Sequence, residues 1–465
     1  MNRSNARQND EWLPDPLDGA LSPYLALLKQ IERDIELGRL RYGDRMPAHR
    51  QLASHVGVSI ATVTKAYHEA QRRGLVVGER GRGMFVNVRT SQEAPVQHTS
   101  IDLAYNLAPN VGQGEAIYAA IRDIVTSGVR DELLTFNSYH GLESQRATFS
   151  DWVTSQGLRA SMNQLFITSG AQQGLLIAAA ILRATSNEPV MVEEISFTGS
   201  RAVASTLKFP LVPVPMDEFG VIPDAVERLA RETGARLLFV NPTIQSPTTL
   251  TIPVERRREI AVIIKRINGF VVEDDVYGYL PETPIPPISS FIPDNAVYVN
   301  GFSKALTLGF RIGVMVVPPR FIDATVLAMR ATTWTAPALL AQAGATIVAS
   351  GEFDRLVKLV RQESKERREI FSSVFAHRFR QDQPQGFHAW LPLPAGSDPN
   401  AIYVAARNSG IILTPPGFAV QSETTERALR FCLGAPATQT ELRTALEIVK
   451  RLLARGEHHH HVLVV

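Results

Sequence analysis

The sequence predicts an α/β protein in two parts. A small basic N-terminal unit of helices and a β-hairpin precedes a large unit with a mostly parallel central sheet and a small C-terminal α+β part. Three observations carry that expectation. At 465 residues the chain is long enough for two or more domains, one of them with a substantial core. Helical apolar spacing near the N-terminus gives way, from about residue 101, to short apolar runs alternating with helical stretches. Charge divides in the same way: residues 22–88 hold 11 Lys+Arg against 6 Asp+Glu, a net +5, whereas the whole chain is +2 and the remainder therefore −3. A basic small unit beside an acidic large one fits a phosphate-backbone partner for the first alone, although an ordinary solvated surface carries such charge too.

Composition is that of a soluble protein, 45% hydrophobic and 20% charged. The single cysteine, Cys432, has no intrachain partner, which points to a reducing cytoplasm. Met1–Trp12 is polar and lacks a hydrophobic signal segment, and the apolar stretch Leu175–Leu182 is far shorter than the roughly 20 residues of a membrane span. The expected location is therefore cytoplasmic. Four adjacent histidines, His458–His461, bind metal nonspecifically and do not require a biological metal site.

Residues 1–21 show no periodicity and read as a mobile arm. From Tyr24 to Gly38, Leu27, Leu28, Ile31 and Ile35 fall on one helical face. Pro47-Ala48-His49-Arg50-Gln51-Leu52-Ala53 opens a short helix, Gly57 supplies a turn, and Val58–Tyr67 makes the next helix with Ser59 as its N-cap. That phase turns Val63, Ala66 and Tyr67 inward and leaves Ala61, Thr62 and Lys65 facing out, where they can enter a major groove and hold phosphates. After Gly74, Leu75-Val76-Val77 and Met84-Phe85-Val86 read as a hairpin whose tip carries Arg80 and Arg82 among glycines, suited to a minor groove or the backbone. Helix, turn, helix and basic wing in this order resemble the GntR family of winged helix-turn-helix regulators over residues 22–88. Arg50 matches the family's second-helix arginine. Ile60 stands where many members carry an arginine, which implies an operator read without the usual guanine contact.

Residues 89–100 are polar with no apolar face and read as a linker. Beyond them, Leu165–Thr168, Pro189–Val192, Leu237–Val240, Phe270–Val272, Ala296–Val299 and Gly313–Val317 are strand-like runs. A final portion, from about Leu339 to Leu453, begins with a long helix. Chemistry-bearing residues follow these strands. Thr168-Ser169-Gly170-Ala171-Gln172-Gln173-Gly174 leaves a strand and opens a helix, so its amides can cradle a phosphate. In Glu273-Asp274-Asp275-Val276-Tyr277, Asp274 can pair with a pyridinium nitrogen and Tyr277 can reach a ring hydroxyl. Ser303-Lys304 follows another strand, with Arg311 seven residues on.

Each piece alone is common. Together and in order they resemble fold-type I aminotransferases across residues 101–455, and joined to the winged helix they resemble the MocR/GabR-like branch of GntR regulators across almost the whole chain. The resemblance implies pyridoxal 5'-phosphate as cofactor and Lys304 as its Schiff-base lysine. Phe197 would stack on the pyridine face, and Arg430 would grip an effector carboxylate through its bidentate fork. It also implies a homodimer with domains exchanged across subunits and an operator of two half-sites.

The departures are specific. Ser246, in Gln245-Ser246-Pro247-Thr248-Thr249, replaces the family's ring-hydroxyl asparagine, and Gly301 replaces a phosphate-binding serine. Leu308 replaces a proline of the lysine loop, and Phe136 stands at the position of a tyrosine that reaches the partner subunit's phosphate. Two lost bonds to a charged phosphate weaken affinity by roughly 3–6 kcal/mol at most, with Gly170, Ala171, Gln172, Ser303 and Arg311 still holding it. The expected protein is a transcription regulator that senses an amino-group-bearing small molecule rather than a fast enzyme. The alternatives are a working aminotransferase with a vestigial DNA arm, and a cofactor-free regulator.

Overall fold

The computed structural model describes residues 12–15, 22–36, 39–40, 44–72, 75–79, 83–86, 100–128, 131–183, 188–375, 386–393, 397–419 and 427–460. By contacts the chain divides into two compact units, Met1–Thr99 and Ser100–Val465.

In the first unit the helix Pro23–Glu36 turns Leu27, Leu28, Ile31 and Ile35 into a core shared with Leu52, Val63, Ala66, Tyr67, Val76 and Val86. Gly57 separates the helices His49–Val56 and Ile60–Arg72. Its φ of 70° is the left-handed conformation that glycine adopts without a Cβ penalty, and its amide caps the Ala53 carbonyl. Ser59 Oγ accepts the Thr62 amide at 3.1 Å and so caps the second helix. Buried Tyr67 donates its hydroxyl to the Pro47 carbonyl at 2.9 Å and meets His49 edge-on, which fixes the angle between the two helices. The strands Val76–Glu79 and Gly83–Val86 pair antiparallel. The wing tip with Arg80 and Arg82, the linker through residue 99, and Gly38 and Gly74 lie outside the described residues.

One expectation fails at the arm. Residues 12–15 are packed: Trp12 Nε1 donates to Asp34 at 3.0 Å and Asp15 pairs with Arg39 at 3.0 Å. An indole and a carboxylate anchor a segment without any apolar period, so periodicity gave no sign of it.

The second unit is built on a seven-stranded sheet. Its order is Leu165–Thr168, Gly313–Val316, Ala296–Gly301, Phe270–Asp274, Leu237–Val240, Val190–Glu193, Leu211–Val214. Gly313–Val316 runs antiparallel to both neighbours and the other pairings are parallel. The inner strands are buried on both faces, as their unbroken apolar runs require. Leu211–Val214 was not anticipated. It contains Pro213, which lacks a ladder donor and is tolerated because the strand lies at the sheet edge.

The helix Ala171–Arg183 lies close on the sheet because a Cβ at Gly174 would fall 2.9 Å from Val299. The C-terminal portion begins with two helices where one long helix was expected, Ala338–Ala349 and Glu352–Phe375. Gly351, at φ 74°, breaks the run. The α+β part then pairs His388–Pro392 antiparallel with Ala428–Cys432, packed under Pro399–Asn408 and Gln439–His460. His458–His460 fall in that last helix, and His461 lies outside the described residues. Among the described residues no group of three or more His, Cys, Asp or Glu is placed to hold a metal, and no helix is long and apolar enough to cross a membrane.

Candidate functional site

At the ends of the parallel strands the second unit has a pocket of about 680 Å³, its open mouth included. Ala171, Gln172, Phe197, Ser246, Asp274, Tyr277, Ser303, Lys304, Arg311 and Arg430 line it, from segments far apart in the chain. Gly170 lies at its edge, against Arg311.

Lys304 sits in a short 3-10 turn directly after the strand Ala296–Gly301. Its Nζ donates to the Asn106 carbonyl at 2.8 Å and lies 5.4 Å from the centre of the Tyr277 ring. The residue is partly accessible, yet the protein around its amine desolvates the ammonium and lowers its pKa to about 8. Arg430 adds to the lowering, and Cys432 and Asp274 oppose it.

The acidic run Glu273-Asp274-Asp275 sorts itself by direction. Glu273 accepts the amides of Ile288 and Ser289 and the Ser289 hydroxyl. Asp275 accepts from Thr243 and Tyr298. Asp274 points the other way, into the pocket, and its buried Oδ1 has no partner among the described residues. Burial, with Asp275 beside it, raises its pKa to about 7, while Lys304 and the Val276 amide pull it down. A buried acceptor left open at the floor of a pocket needs a donor, and a protonated ring nitrogen would supply one. This is the fit the expected cofactor requires.

One end of the pocket is built from backbone. The strand Leu165–Thr168 turns at Gly170, φ 84°, into the helix Ala171–Arg183, whose first amides have no partner within the helix. Arg311 donates to the Ser169 carbonyl at 3.2 Å from above this turn. Ser303 completes the rim. Phe197 lies at the start of the helix Thr198–Leu207.

Arg430 is buried at the opposite side, on the strand Ala428–Cys432. Its Nε donates to Thr414 at 3.2 Å, Nη2 to the Ala104 carbonyl at 2.7 Å and Nη1 to Ser246 Oγ at 3.4 Å, and its carbon lies 4.3 Å over the Phe418 ring. The Ser246 hydroxyl is thus engaged with the arginine. Of the departure positions, Ser246, Gly301 and Leu308 line the pocket. Phe136 is not among its lining residues; it stands half-exposed against Tyr139 and Trp334.

Sequence reasoning missed Asn106 and Asn241. Asn106 Nδ2 donates to the Tyr277 hydroxyl at 2.6 Å, its carbonyl takes Lys304, and its Oδ1 has no partner among the described residues. Asn241 accepts the Ser246 amide at 2.9 Å and donates to the Asp274 carbonyl. Both lie in loops without periodicity, so no apolar pattern pointed to them.

In the N-terminal unit, Arg50, Ser59, Ala61 and Lys65 are exposed, Thr62 is partly so, and Val63, Ala66 and Tyr67 are buried. Lys65 Nζ lies 4.0 Å over the Tyr24 ring. Arg50 lies in the first turn of the shorter helix, at the end away from Gly57.

Residues 101–449 match the family model for aminotransferase class I and II, and residues 23–86 match that for bacterial regulatory proteins of the gntR family. The chain is similar to the uncharacterized HTH-type transcriptional regulator YdeF of Bacillus subtilis, 26% identical over 95% of this chain and 96% of that one. It is similar to the HTH-type pyridoxine biosynthesis transcriptional regulator PdxR of Corynebacterium glutamicum, 27% identical over 74% and 77%. Among solved structures, the kynurenine aminotransferase of Pyrococcus horikoshii superposes with a TM-score of 0.69 at 23% identity, over 76% of this chain and 91% of that one.

Proposed function

From the premise that this chain belongs to the aminotransferase class I and II family and carries a GntR-family DNA-binding domain at its N-terminus, we propose that it is a transcription regulator that binds pyridoxal phosphate on Lys304 and senses an amino compound bearing a carboxylate. That it is a DNA-binding transcription regulator with an aminotransferase-like domain follows from both matches and from relatives named as regulators. The sensing rests on one observation above others: an amine with its pKa lowered to about 8 shares a pocket with a buried carboxyl oxygen of Asp274 that has no partner among the described residues.

When bound, the cofactor supplies an aldehyde that one amine can take over from another. The protein's own groups do the rest. Lys304 offers the resident amine, Asp274 a proton acceptor for the ring nitrogen, and Tyr277, braced by Asn106, a hydroxyl toward the ring oxygen. The amides after Gly170, with Ser303 and Arg311, hold the phosphate. Arg430 selects effectors with a carboxylate. An effector that favours one of two arrangements of the protein shifts DNA affinity by its differential binding, typically 1–3 kcal/mol.

The test is direct. Protein incubated with cofactor gains visible absorbance, the Lys304→Ala variant gains none, and amino compounds that change the spectrum also change operator affinity. A colourless wild-type protein in excess cofactor removes the sensing reading and leaves the DNA-binding one.

A further inference from the structure

The helix Ile60–Arg72 presents an apolar leading edge. Ile60 is 48% exposed and Ala61 beside it is exposed too. The hydroxyls around them are turned back onto the helix. Ser59 Oγ takes the Thr62 amide and shares a 2.8 Å hydrogen bond with Thr62 Oγ1, and Thr64 Oγ1 donates to the Ile60 carbonyl at 2.9 Å. From Ile60 to Tyr67 the one long charged side chain is Lys65, and its ammonium lies over the Tyr24 ring. The first two turns therefore contain no planar fork that could take the paired acceptors of a guanine or the donor–acceptor pair of an adenine. They offer a branched hydrocarbon and a methyl group, held rigidly by a capped helix start.

A major-groove edge offers one apolar group, the C5-methyl of thymine. We propose that Ile60 is a specificity-determining residue that reads a thymine methyl in each operator half-site, so that the sequence is chosen by an apolar contact in place of a hydrogen-bonded base pair at that position. Contact with the methyl removes Ile60 from water, which a cytosine or a purine edge at that spot does not match. Arg50 and Lys65, both exposed, contribute affinity for phosphates without changing the preference. The proposal rests on DNA binding by the N-terminal unit and is independent of what the pocket holds.

The experiment uses the full chain. Random duplexes are enriched on the wild-type protein, and each thymine of the enriched sequence is then replaced by deoxyuridine, which lacks only the methyl group. At one thymine per half-site the wild-type protein loses affinity about fourfold, the worth of one buried methyl. Ile60→Ala, a change at an exposed position that leaves the unit's core intact, binds the thymine and uracil duplexes equally. Ile60→Arg, enriched afresh, shifts the preferred base at that position away from thymine. Wild-type protein indifferent to uracil at every position overturns the proposal, as does full thymine preference retained by Ile60→Ala. Failure to enrich any sequence overturns it one step earlier, by removing the DNA reading on which it stands.

Discussion

Gly170 and Arg311 exclude each other's alternatives. A Cβ on residue 170 would lie 2.6 Å from Arg311 Nη2 and 2.8 Å from its Cζ, and the two residues take left-handed φ values of 84° and 49°. A side chain at residue 170 would strain the turn that aims the helix amides and would push the guanidinium from its present place above it. A left-handed arginine is itself a strained choice, costing about 1–2 kcal/mol, so the fold holds this guanidinium in place against a local preference.

Gly170→Ala therefore displaces Arg311 as well as straining the turn. The expected outcome is a cofactor affinity lowered about tenfold or more, measured by absorbance titration, with Arg311→Ala alone close to the same loss. Because both act on one guanidinium, the double variant loses much less than the product of the single effects. Independent, multiplicative losses would show that the glycine serves the turn alone.

The lowered pKa of Lys304 makes a kinetic prediction. At neutral pH an amine with a pKa of about 8 holds on the order of a hundred times more free base than an ordinary lysine. The rate of cofactor capture, followed by stopped-flow absorbance, rises about tenfold per pH unit up to near 8 and then levels off. A rate still climbing through pH 10 would mean an unperturbed lysine.

Glu193 supplies the clearest pH signature of stability. It is fully buried, with Oε2 taking the Gln245 side-chain amide and Oε1 without a partner among the described residues, and burial raises its pKa to about 8. Asp274 and Glu273 are each raised to about 7. A carboxyl whose folded pKa lies above its unfolded one binds more protons in the native state, so its stabilising contribution is complete below about pH 4 and is lost as pH rises toward 8. Stability of the cofactor-free protein should fall across that window. Glu193→Gln, which copies the protonated acid, should recover on the order of 3 kcal/mol at pH 8 and little at pH 4, read from urea midpoints. Parallel pH profiles for variant and wild type would show that Glu193 titrates normally.

The sequence made some of this legible and hid the rest for identifiable reasons. Lys304, Asp274 and the turn after Thr168 each follow a strong apolar strand, so a local pattern placed them at strand ends on one edge of a parallel sheet, and the structure brings them to one pocket. Ser59 and Gly57 were legible because capping and left-handed turns are local chemistry. Asn106 was not: its value lies in contacts 171 and 198 residues away, with Tyr277 and Lys304, which no local period encodes. The edge strand Leu211–Val214 was masked by its proline, and Trp12 by the absence of any repeat around it. The departure at Ile60 could be read, but its exposure and the engagement of its polar neighbours with the helix could not.

A substitution at Arg430 tests the proposed effector recognition apart from cofactor binding. Its guanidinium is fixed by Thr414, Ala104 and Ser246 and stacked over Phe418, so its orientation is set before any ligand arrives. A carboxylate that bonds to it gains charge-assisted hydrogen bonds of about 1.5–3 kcal/mol each without first ordering a flexible side chain. Arg430→Lys keeps the charge but loses the planar fork and its three internal bonds. The variant should still colour with cofactor and still bind operator DNA, while the concentration of a carboxylate-bearing amine needed to change either signal rises at least about tenfold. Amines lacking a carboxylate should respond equally to both proteins, because nothing in them reaches the guanidinium. A variant that responds to carboxylate-bearing amines at the wild-type concentration would remove Arg430 from effector recognition and leave it as a brace for Ser246 and the Ala104 backbone.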